Sequence, residues 1–321
     1  MTTSLVNIFV MCSWLALARS YPTEMASEQL AEDDDIYRAS MRSIFRNGNE
    51  DDESDSGDEQ NIGQYVWHCP IDNANGKVNG DASHFPVIYH LALLAPGHGN
   101  SLWNACICIA EHLSSASKRS QLLGDDISSL VPWPPRSSLE FGAGAALPSM
   151  ILLGEGTDNV IITDRKVNDM TFEALDLSAE KNGEQWNVSD ISQRVQVCDH
   201  TWGEAIDELV KKSNSGGIDV LVASDCIYNP TYHDALLQSA SRTICSESGI
   251  FIVGFSYHSN CSKEQVDAFF AKAEDFGFRV VSEFTKKYKE QQGIGSKDPE
   301  RAMVYCKVLV HKDSIYRGQI K

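Results

Sequence analysis

Basic residues are scarce in this sequence. Its 321 residues include 27 lysines and arginines against 45 aspartates and glutamates, so the formal net charge is −18. A surface this acidic cannot neutralise the phosphates of DNA or RNA, and we therefore expect no nucleic-acid partner. It tolerates a basic protein partner, although acidity mostly serves solubility.

The sequence also has no C-x-x-C pair. Its nine cysteines are odd in number and scattered, and several lie inside apolar runs. This pattern predicts buried, reduced thiols and a cytoplasmic location rather than a disulfide framework. Cys106 and Cys108 would need distant partners to hold a metal ion, so we expect no metal site.

No apolar run is long enough for a comfortable membrane span. Residues 5–18 are apolar and end in small residues, as a signal peptide does, but they follow no basic segment. We expect residues 1–24 to be an untargeted extension or to precede a true start at Met25, and we expect no stable membrane association. A signal or an anchor stays open as the alternative.

Aromatic residues are few between residues 26 and 60, and acidic residues are many. Residues 1–60 carry thirteen acidic and four basic side chains. Because so little apolar surface cannot offset the entropy cost of ordering, we predict a disordered segment over residues 25–62. With 42% hydrophobic residues in the chain, residues 63–321 can build one large domain, which we expect to be monomeric.

The most informative stretch is residues 139–150, with the sequence LEFGAGAALPSM. A short apolar run stops at Gly142 and Gly144, and Pro148 stands near the start of a second apolar run of helical length. The pattern predicts a buried strand, a tight turn and a helix N-terminus. A ligand can lie against a backbone without Cβ atoms, and the free N–H groups of the helix point at it. Dinucleotide enzymes and plain tight loops share such a turn.

From residue 138 onward, short apolar strands alternate with helical stretches. Strands are predicted at 138–141, 159–163, 194–198, 218–224, 250–255, 278–284 and 302–310. Helices are predicted near 146–154, 168–182, 203–213, 231–245 and 262–276. This alternation predicts an α/β fold with a mostly parallel sheet. The last two strands are joined only by a loop, which predicts an antiparallel hairpin at the end of the sheet.

Three regions precede this alternation. Residues 64–98 mix short extended pieces with turns and predict a β-hairpin-like segment. Residues 101–113 predict a helix, and the Ser- and Pro-rich residues 114–137 predict a loop.

Polar residues follow several of the predicted strands. Asp164 ends the second strand, Trp202 follows the third, and Asp225 and Tyr228 follow the fourth. Ligands of an open α/β sheet bind at the carboxyl ends of strands, where an acid suits a ribose diol and an indole can stack on a purine. Each residue also has a structural interpretation: Asp164 as a helix cap, Trp202 as core packing, and Asp225 as a turn cap.

Together these pieces resemble the seven-strand S-adenosylmethionine-dependent protein-lysine methyltransferases marked by an Asp-x-x-Tyr or Asp-x-x-Phe motif, here Asp225-Cys226-Ile227-Tyr228. The sequence is most similar to the fungal branch once labelled nicotinamide N-methyltransferase-like. That branch includes the enzyme that methylates the N-terminus and a nearby lysine of elongation factor 1-alpha. The resemblance covers roughly residues 97–310. It rests on residues 99–105, 139–149, 163–164, 201–203, 224–229, 255–258 and 267–270.

The resemblance implies a Rossmann-like class I methyltransferase fold with a seven-stranded, mostly parallel sheet. It implies S-adenosylmethionine as the methyl donor and a protein amine as the acceptor, with elongation factor 1-alpha as the candidate substrate. The implied cofactor-binding residues are Trp103, Gly142, Ala143, Gly144, Asp164, Trp202 and Ser224. Asp164 would hold the ribose hydroxyls and Trp202 would lie by the adenine. The implied catalytic residues are Asp225 and Tyr228, at the mouth for the incoming amine.

Two positions depart from the family's pattern. The family tends to carry an aromatic-Pro-Asp step after the ribose acid, where this sequence has Arg165-Lys166-Val167-Asn168. The family's paired histidine is Tyr257-His258 here. The first departure leaves open how the adenine-side loop is built, and the second leaves open which amine is the acceptor.

The implied chemistry needs alignment of amine, methyl group and sulfur, and it needs no metal. The amine must also lose its proton, and we expect Asp225 and Tyr228 to accept hydrogen bonds from it and orient it. Three alternatives stay open. They are a nicotinamide-like methyltransferase of small amines, a non-catalytic binding protein on the same fold, and an NAD-dependent dehydrogenase. Leu147 at the third glycine position speaks against the dehydrogenase.

Overall fold

The computed structural model describes residues 62–68, 86–93, 100–213, 216–258, 261–288 and 302–318. The predicted extension at 1–24 and nearly all of the predicted acidic segment lie outside the described residues, as do Cys12 and Cys69. In these ranges no helix combines the length and apolarity that crossing a bilayer needs. The seven cysteines within them are all buried free thiols, which confirms that prediction for these seven.

Two strands form a small sheet ahead of the main fold. Strand β1 (Ile62–Trp67) pairs antiparallel with β2 (Val87–Ala92), which confirms the hairpin-like segment. Buried polar contacts fix β2 to a long helix, α5 (Asp169–Trp186). The backbone N–H of His90 donates to Ser178 Oγ at 2.9 Å, and that of Ile88 donates to Asn182 Oδ1 at 2.9 Å.

Seven further strands form the main sheet. They are β3 (Ser137–Phe141), β4 (Asn159–Asp164), β5 (Val195–Asp199), β6 (Val220–Ser224), β7 (Ile250–Phe255), β8 (Phe278–Lys287) and β9 (Met303–His311). Their order across the sheet is β5-β4-β3-β6-β7-β9-β8. Strands β3 to β7 run parallel, and β9 is antiparallel to both β7 and β8. The predicted mostly parallel sheet with a terminal antiparallel hairpin is confirmed.

Helices cover both faces of this sheet. Besides α5 they are α1 (Asn104–Leu113), α2 (Ala116–Leu123), α3 (Asp125–Ser128), α4 (Leu147–Glu155), α6 (Ile191–Arg194), α7 (Ile206–Lys212), α8 (His233–Thr243) and α9 (Lys263–Ala273). Residues of α1, α4 and α5 join one core, and residues of α7, α8 and α9 join another. Alternate residues of the central strands enter the two cores, because successive side chains of a strand point to opposite faces.

The predicted loop at 114–137 is wrong over residues 116–128, which contain α2 and α3. Ser115 precedes α2 in extended backbone and accepts the N–H of Lys118 on its hydroxyl at 3.3 Å. A serine in that position stabilises a helix start instead of signalling a loop. The serines that suggested a loop therefore include the cap of a helix.

The central strands of the main sheet are completely buried. All six residues of β7 and all five residues of β6 are buried. A parallel sheet covered on both faces reads as near-continuous apolar runs, which is why these strands were predictable. Because β3, β4, β5, β6 and β7 run parallel, their carboxyl ends lie at one edge of the sheet.

Candidate active site

The glycine turn begins where β3 ends. Gly142 and Gly144 have φ values of +57° and +52°, in the left-handed region that glycine enters without a Cβ penalty. A Cβ built on Gly142 would lie 2.9 Å from Cys226 Sγ and 3.2 Å from Trp202 Cζ2. The turn is therefore in close contact with the segments after β5 and β6. The N–H of Ala143 donates to the Thr163 carbonyl at 3.0 Å and joins the turn to β4.

Asp164 ends β4 and faces the same turn. Its Oδ2 accepts the Gly144 N–H at 2.9 Å, and its Oδ1 accepts the Arg165 N–H at 2.7 Å. Burial raises the pKa of this carboxyl group. The cap of α5 is Asn168, whose side chain accepts the Thr171 N–H at 3.0 Å. The interpretation of Asp164 as that helix cap is thus wrong, and each carboxylate oxygen keeps a further lone pair for a ligand hydroxyl.

Trp202 lies over the turn from the loop after β5. Its indole is only partly buried, and its ring centroid lies 6.4 Å from that of Tyr232. The loop is held by Ser239, whose Oγ accepts the Gly203 N–H at 2.9 Å and lies 3.0 Å from His200 Nε2. The indole packs against one core but stays partly exposed at the rim of the glycine turn, where it provides a stacking surface.

Asp225 follows β6 in a strained conformation. Its φ is +52°, which a non-glycine residue adopts at a cost of roughly 1–2 kcal/mol. Its N–H donates to the Gly254 carbonyl at 2.8 Å, and its Oδ1 accepts the Ser256 N–H at 2.9 Å. Strain of this kind persists where the surroundings over-determine the conformation, and it concentrates at functional sites.

The next residue joins this strained step to the glycine turn. The Cys226 thiol donates to the Phe141 carbonyl at 3.1 Å. Ser224, the last residue of β6, is buried and pairs with Gly254 of β7. Asp225 is thereby held at the same edge as Gly142.

An aromatic cluster stands beside Asp225. The His258 ring centroid lies 5.9 Å from that of Trp103, which directly precedes α1, and 6.3 Å from that of Tyr228. His258 Nε2 lies 3.4 Å from Asp225 Oδ1. Burial raises the pKa of Tyr228 to about 12, so its hydroxyl stays protonated at neutral pH. Asp225 and Tyr228 are therefore parts of one polar and aromatic group.

Two residues of this edge were not among the predicted site residues. Glu140 is buried within β3, and its Oε2 accepts the N–H and Oγ of Ser149 at 3.0 and 2.6 Å. Its Oε1 is buried without a partner within the described part of the chain. Burial raises the pKa of Glu140 to about 8. The sequence signal was an acid inside an apolar strand, two residues before Gly142.

His258 is the second such residue, and its sequence signal was weak. In the sequence, His258 differs from its surroundings only as part of a departure from the family pattern. Its contact with Asp225 spans 33 residues, which no local pattern reveals. All nine predicted site residues lie along this one edge, from Trp103 through Gly142, Asp164 and Trp202 to Asp225 and Tyr228.

Comparison with known proteins agrees with this arrangement. A family model described as lysine methyltransferase matches residues 92–276, more than half of the chain. The protein N-terminal and lysine N-methyltransferase EFM7 of Yarrowia lipolytica is 27% identical over 242 residues, covering 71% of this chain and 84% of its own. EFM7 of Eremothecium gossypii is 28% identical over 230 residues, covering 68% of this chain and 77% of its own.

Similarity to solved structures is weaker. The ribosomal protein L11 methylase of Lactobacillus delbrueckii subsp. bulgaricus has a TM-score of 0.37 at 14% identity, covering 60% of this chain and 77% of that one. The family model and the fungal relatives therefore carry the assignment. They confirm the resemblance seen in the sequence. They exclude the dehydrogenase and the non-catalytic binding protein as alternatives. The chain belongs to the lysine methyltransferase family, and it is an enzyme that transfers methyl groups from S-adenosylmethionine to protein amines.

Proposed function

We propose that this enzyme methylates the N-terminal amine and a nearby lysine of elongation factor 1-alpha, using the edge formed by β3, β4, β6 and β7. One observation carries the proposal: a glycine turn, a buried acid and a strained acid converge there. The relatives named as protein N-terminal and lysine N-methyltransferases support both amine classes. We also propose that it acts as a monomer in the cytoplasm, with residues 1–62 outside a catalytic domain at 63–321.

The donor end of the site would be formed by the glycine turn. Gly142, Ala143 and Gly144 would lie against the donor, Asp164 would accept its ribose hydroxyls, and Trp202 would stack on its adenine. Trp103 and Ser224 would complete the wall. Two observations support the fit of S-adenosylmethionine here. Glu140 Oε1 is a buried carboxyl oxygen without a partner among the described residues, and the ammonium group of the donor would favour its ionised form. Asp164 lies one hydrogen bond from the turn.

The acceptor end would be formed by Asp225 and Tyr228. When bound, S-adenosylmethionine supplies an electrophilic methyl group on a sulfonium sulfur. The Asp225 carboxylate accepts hydrogen bonds from the acceptor amine, and the Tyr228 ring excludes water beside it. Because Ser256 fixes the carboxylate, its orientation is set before the substrate arrives. Such pre-alignment lowers the entropy cost of reaching an in-line geometry.

The acidic character of the chain fits a basic protein acceptor, since complementary charge steers association. The direct test incubates the purified protein and S-adenosylmethionine with unmethylated recombinant fungal elongation factor 1-alpha. Peptide mass spectrometry should detect methyl groups on the N-terminal amine and on one nearby lysine. Nicotinamide serves as the small-amine control, and methylation of nicotinamide alone would refute the protein acceptor.

A further inference from the structure

His258 lies inside the wall of the acceptor end. Its side chain is 13% exposed, beside an Asp225 side chain that is 7% exposed. Its ring stands edge-on to both Trp103 and Tyr228. A second anchor is the backbone, where the Cys261 N–H donates to the His258 carbonyl at 3.1 Å. The imidazole therefore belongs to the same pocket as the two acceptor-end residues.

The contact with Asp225 favours one tautomer of this imidazole. A carboxylate oxygen only accepts, so a hydrogen on the Nε2 that faces it at 3.4 Å is favoured. In the neutral ring, Nδ1 then holds a lone pair. Hydrogen bonds between catalytic groups are often long before substrate binds. A carboxylate that orients a histidine and stabilises its protonated form is a recurring arrangement for proton removal.

We propose that His258, oriented by Asp225, removes the proton from the acceptor ammonium group. This role rests on the proposed function. One N–H bond of the ammonium breaks and an Nδ1–H bond forms on His258. The freed lone pair of the amine then forms the N–C bond while the S–C bond breaks, and that electron pair stays on sulfur. The imidazolium releases its proton to solvent, so the reaction needs no reactant besides the two substrates.

The two acceptor classes need this base to different extents. From reference pKa values, about a third of N-terminal amines but only about one in a thousand lysine amines are neutral at pH 7.5. Removing the base should therefore slow lysine methylation more than N-terminal methylation. Raising the pH should reduce both deficits, because solvent then removes the proton.

The test substitutes His258→Gln, which keeps an N–H donor near Asp225 but has no basic nitrogen. Wild type and H258Q are compared on elongation factor 1-alpha from pH 6.5 to 9.5, with both methylated positions quantified by mass spectrometry. At pH 7 we expect lysine methylation to fall about 100-fold, within the range for a positioned proton acceptor. The deficit should shrink about tenfold or more by pH 9.5, as the lysine pKa of about 10.4 is approached.

Other titratable groups of the pocket are common to both proteins. Asp225 and Tyr228 face His258. Arg165 acts electrostatically on Tyr228, and the charge of Asp225 helps raise the pKa of the Cys106 and Cys306 thiols. The difference between the wild-type and H258Q profiles therefore isolates the imidazole.

The chain supplies a matched control in His311. This histidine is also paired with an acid, its Nδ1 lying 3.7 Å from Asp313 Oδ2. It ends β9 next to Val310, which pairs with Ile250 at the amino end of β7, so it lies at the opposite edge of the sheet. His311→Gln should match wild type at every pH.

A readout independent of turnover comes from long-range ¹H–¹⁵N NMR of the histidine rings, with His258 assigned by its loss in H258Q. We expect hydrogen on Nε2 and none on Nδ1 at pH 8, whereas the opposite tautomer would overturn the role. If H258Q does not fold, His258→Asn takes its place. A deficit in lysine methylation that is constant across pH would show that His258 only positions Asp225. No deficit at pH 7 would show that His258 neither removes the proton nor positions Asp225. Wild type that binds S-adenosylmethionine but methylates neither amine would overturn the proposed acceptor and this role together.

Discussion

The two ends of the pocket are built on different principles. At the donor end, the Gly144 N–H of the glycine turn donates to Asp164, and these partners are 20 residues apart. At the acceptor end, Asp225 has a left-handed backbone and is held by Ser256 and His258, 31 and 33 residues away. Both acids accept a main-chain N–H, but Asp225 also has a side-chain partner, the His258 imidazole. Single substitutions at the acceptor end should therefore mainly lower the rate of methyl transfer. Substitutions at the donor end should mainly weaken the binding of S-adenosylmethionine.

Asp225→Asn should separate the rate of methyl transfer most clearly from the binding of S-adenosylmethionine. Asparagine tolerates the left-handed backbone and still accepts the Ser256 N–H, so the fold should persist. Methyl transfer should fall about 10³-fold, within the range for groups that act on proton transfer. Isothermal titration should give wild-type affinity for S-adenosylmethionine. Near-normal turnover in this variant would remove Asp225 from the chemistry.

Asp164→Ala should have the opposite signature. Hydrogen bonds to a charged group contribute roughly 1.5–3 kcal/mol, so the dissociation constant for S-adenosylmethionine should rise about 10- to 100-fold. The rate at saturating donor should change much less. Asp169→Ala is the control, since Asp169 is an exposed partner of Lys166. A fall in the saturated rate without a change in affinity would contradict the assignment of Asp164 to the donor end.

Glu140→Gln should separate binding from stability. Because the folded state raises the Glu140 pKa to about 8, it binds this proton more tightly than the unfolded chain does. The wild type therefore loses stability as pH rises through that value, and the glutamine variant does not. The Tm advantage of E140Q should grow between pH 5 and 9 to several degrees, since 1 kcal/mol corresponds to about 2–4 °C in a domain of this size.

The same variant should bind S-adenosylmethionine more weakly, because an amide replaces the carboxylate that suits an ammonium group. Calorimetry at pH 8 would measure this loss. A variant that is both more stable and tighter binding would show that Glu140 does not contact the donor.

Tyr228→Phe should have the smallest effect. Loss of one neutral hydrogen bond contributes roughly 0.5–1.5 kcal/mol, so the rate should fall about 3- to 10-fold with donor affinity unchanged. The deficit should be constant from pH 6.5 to 9.5, because the wild-type hydroxyl keeps its proton with a pKa of about 12. A deficit that changes across this range would assign Tyr228 a proton-transfer role.

Local pattern was sufficient for the sheet and for the glycine turn. Runs such as Ile250–Phe255 are apolar because both faces are covered, and the two glycines of the turn are demanded by their positive φ values. The same reasoning failed where one residue type serves two purposes. Ser115 is a helix cap within a serine-rich stretch, and the cap after β4 is Asn168 rather than Asp164.

The acceptor end was only partly predictable. The Asp-x-x-Tyr spacing predicted Asp225 and Tyr228 as catalytic residues, but the left-handed backbone at Asp225 has no sequence signature comparable to a glycine. Its partner His258 lies three residues after the neighbouring strand β7 ends, so their contact depends on the order of strands in the finished sheet. Contacts of that kind follow from tertiary structure and not from local periodicity.

The position of β9 between β7 and β8 has a consequence for biosynthesis. Strand β7 can pair with β6 as soon as both have left the ribosome, but its other edge waits for residues 303–311. The donor-end strands can thus associate early, while the strand that precedes Ser256 and His258 keeps an open edge until late in translation. An open edge is a template for intermolecular pairing, so nascent chains paused before residue 303 should be the species that most needs a chaperone.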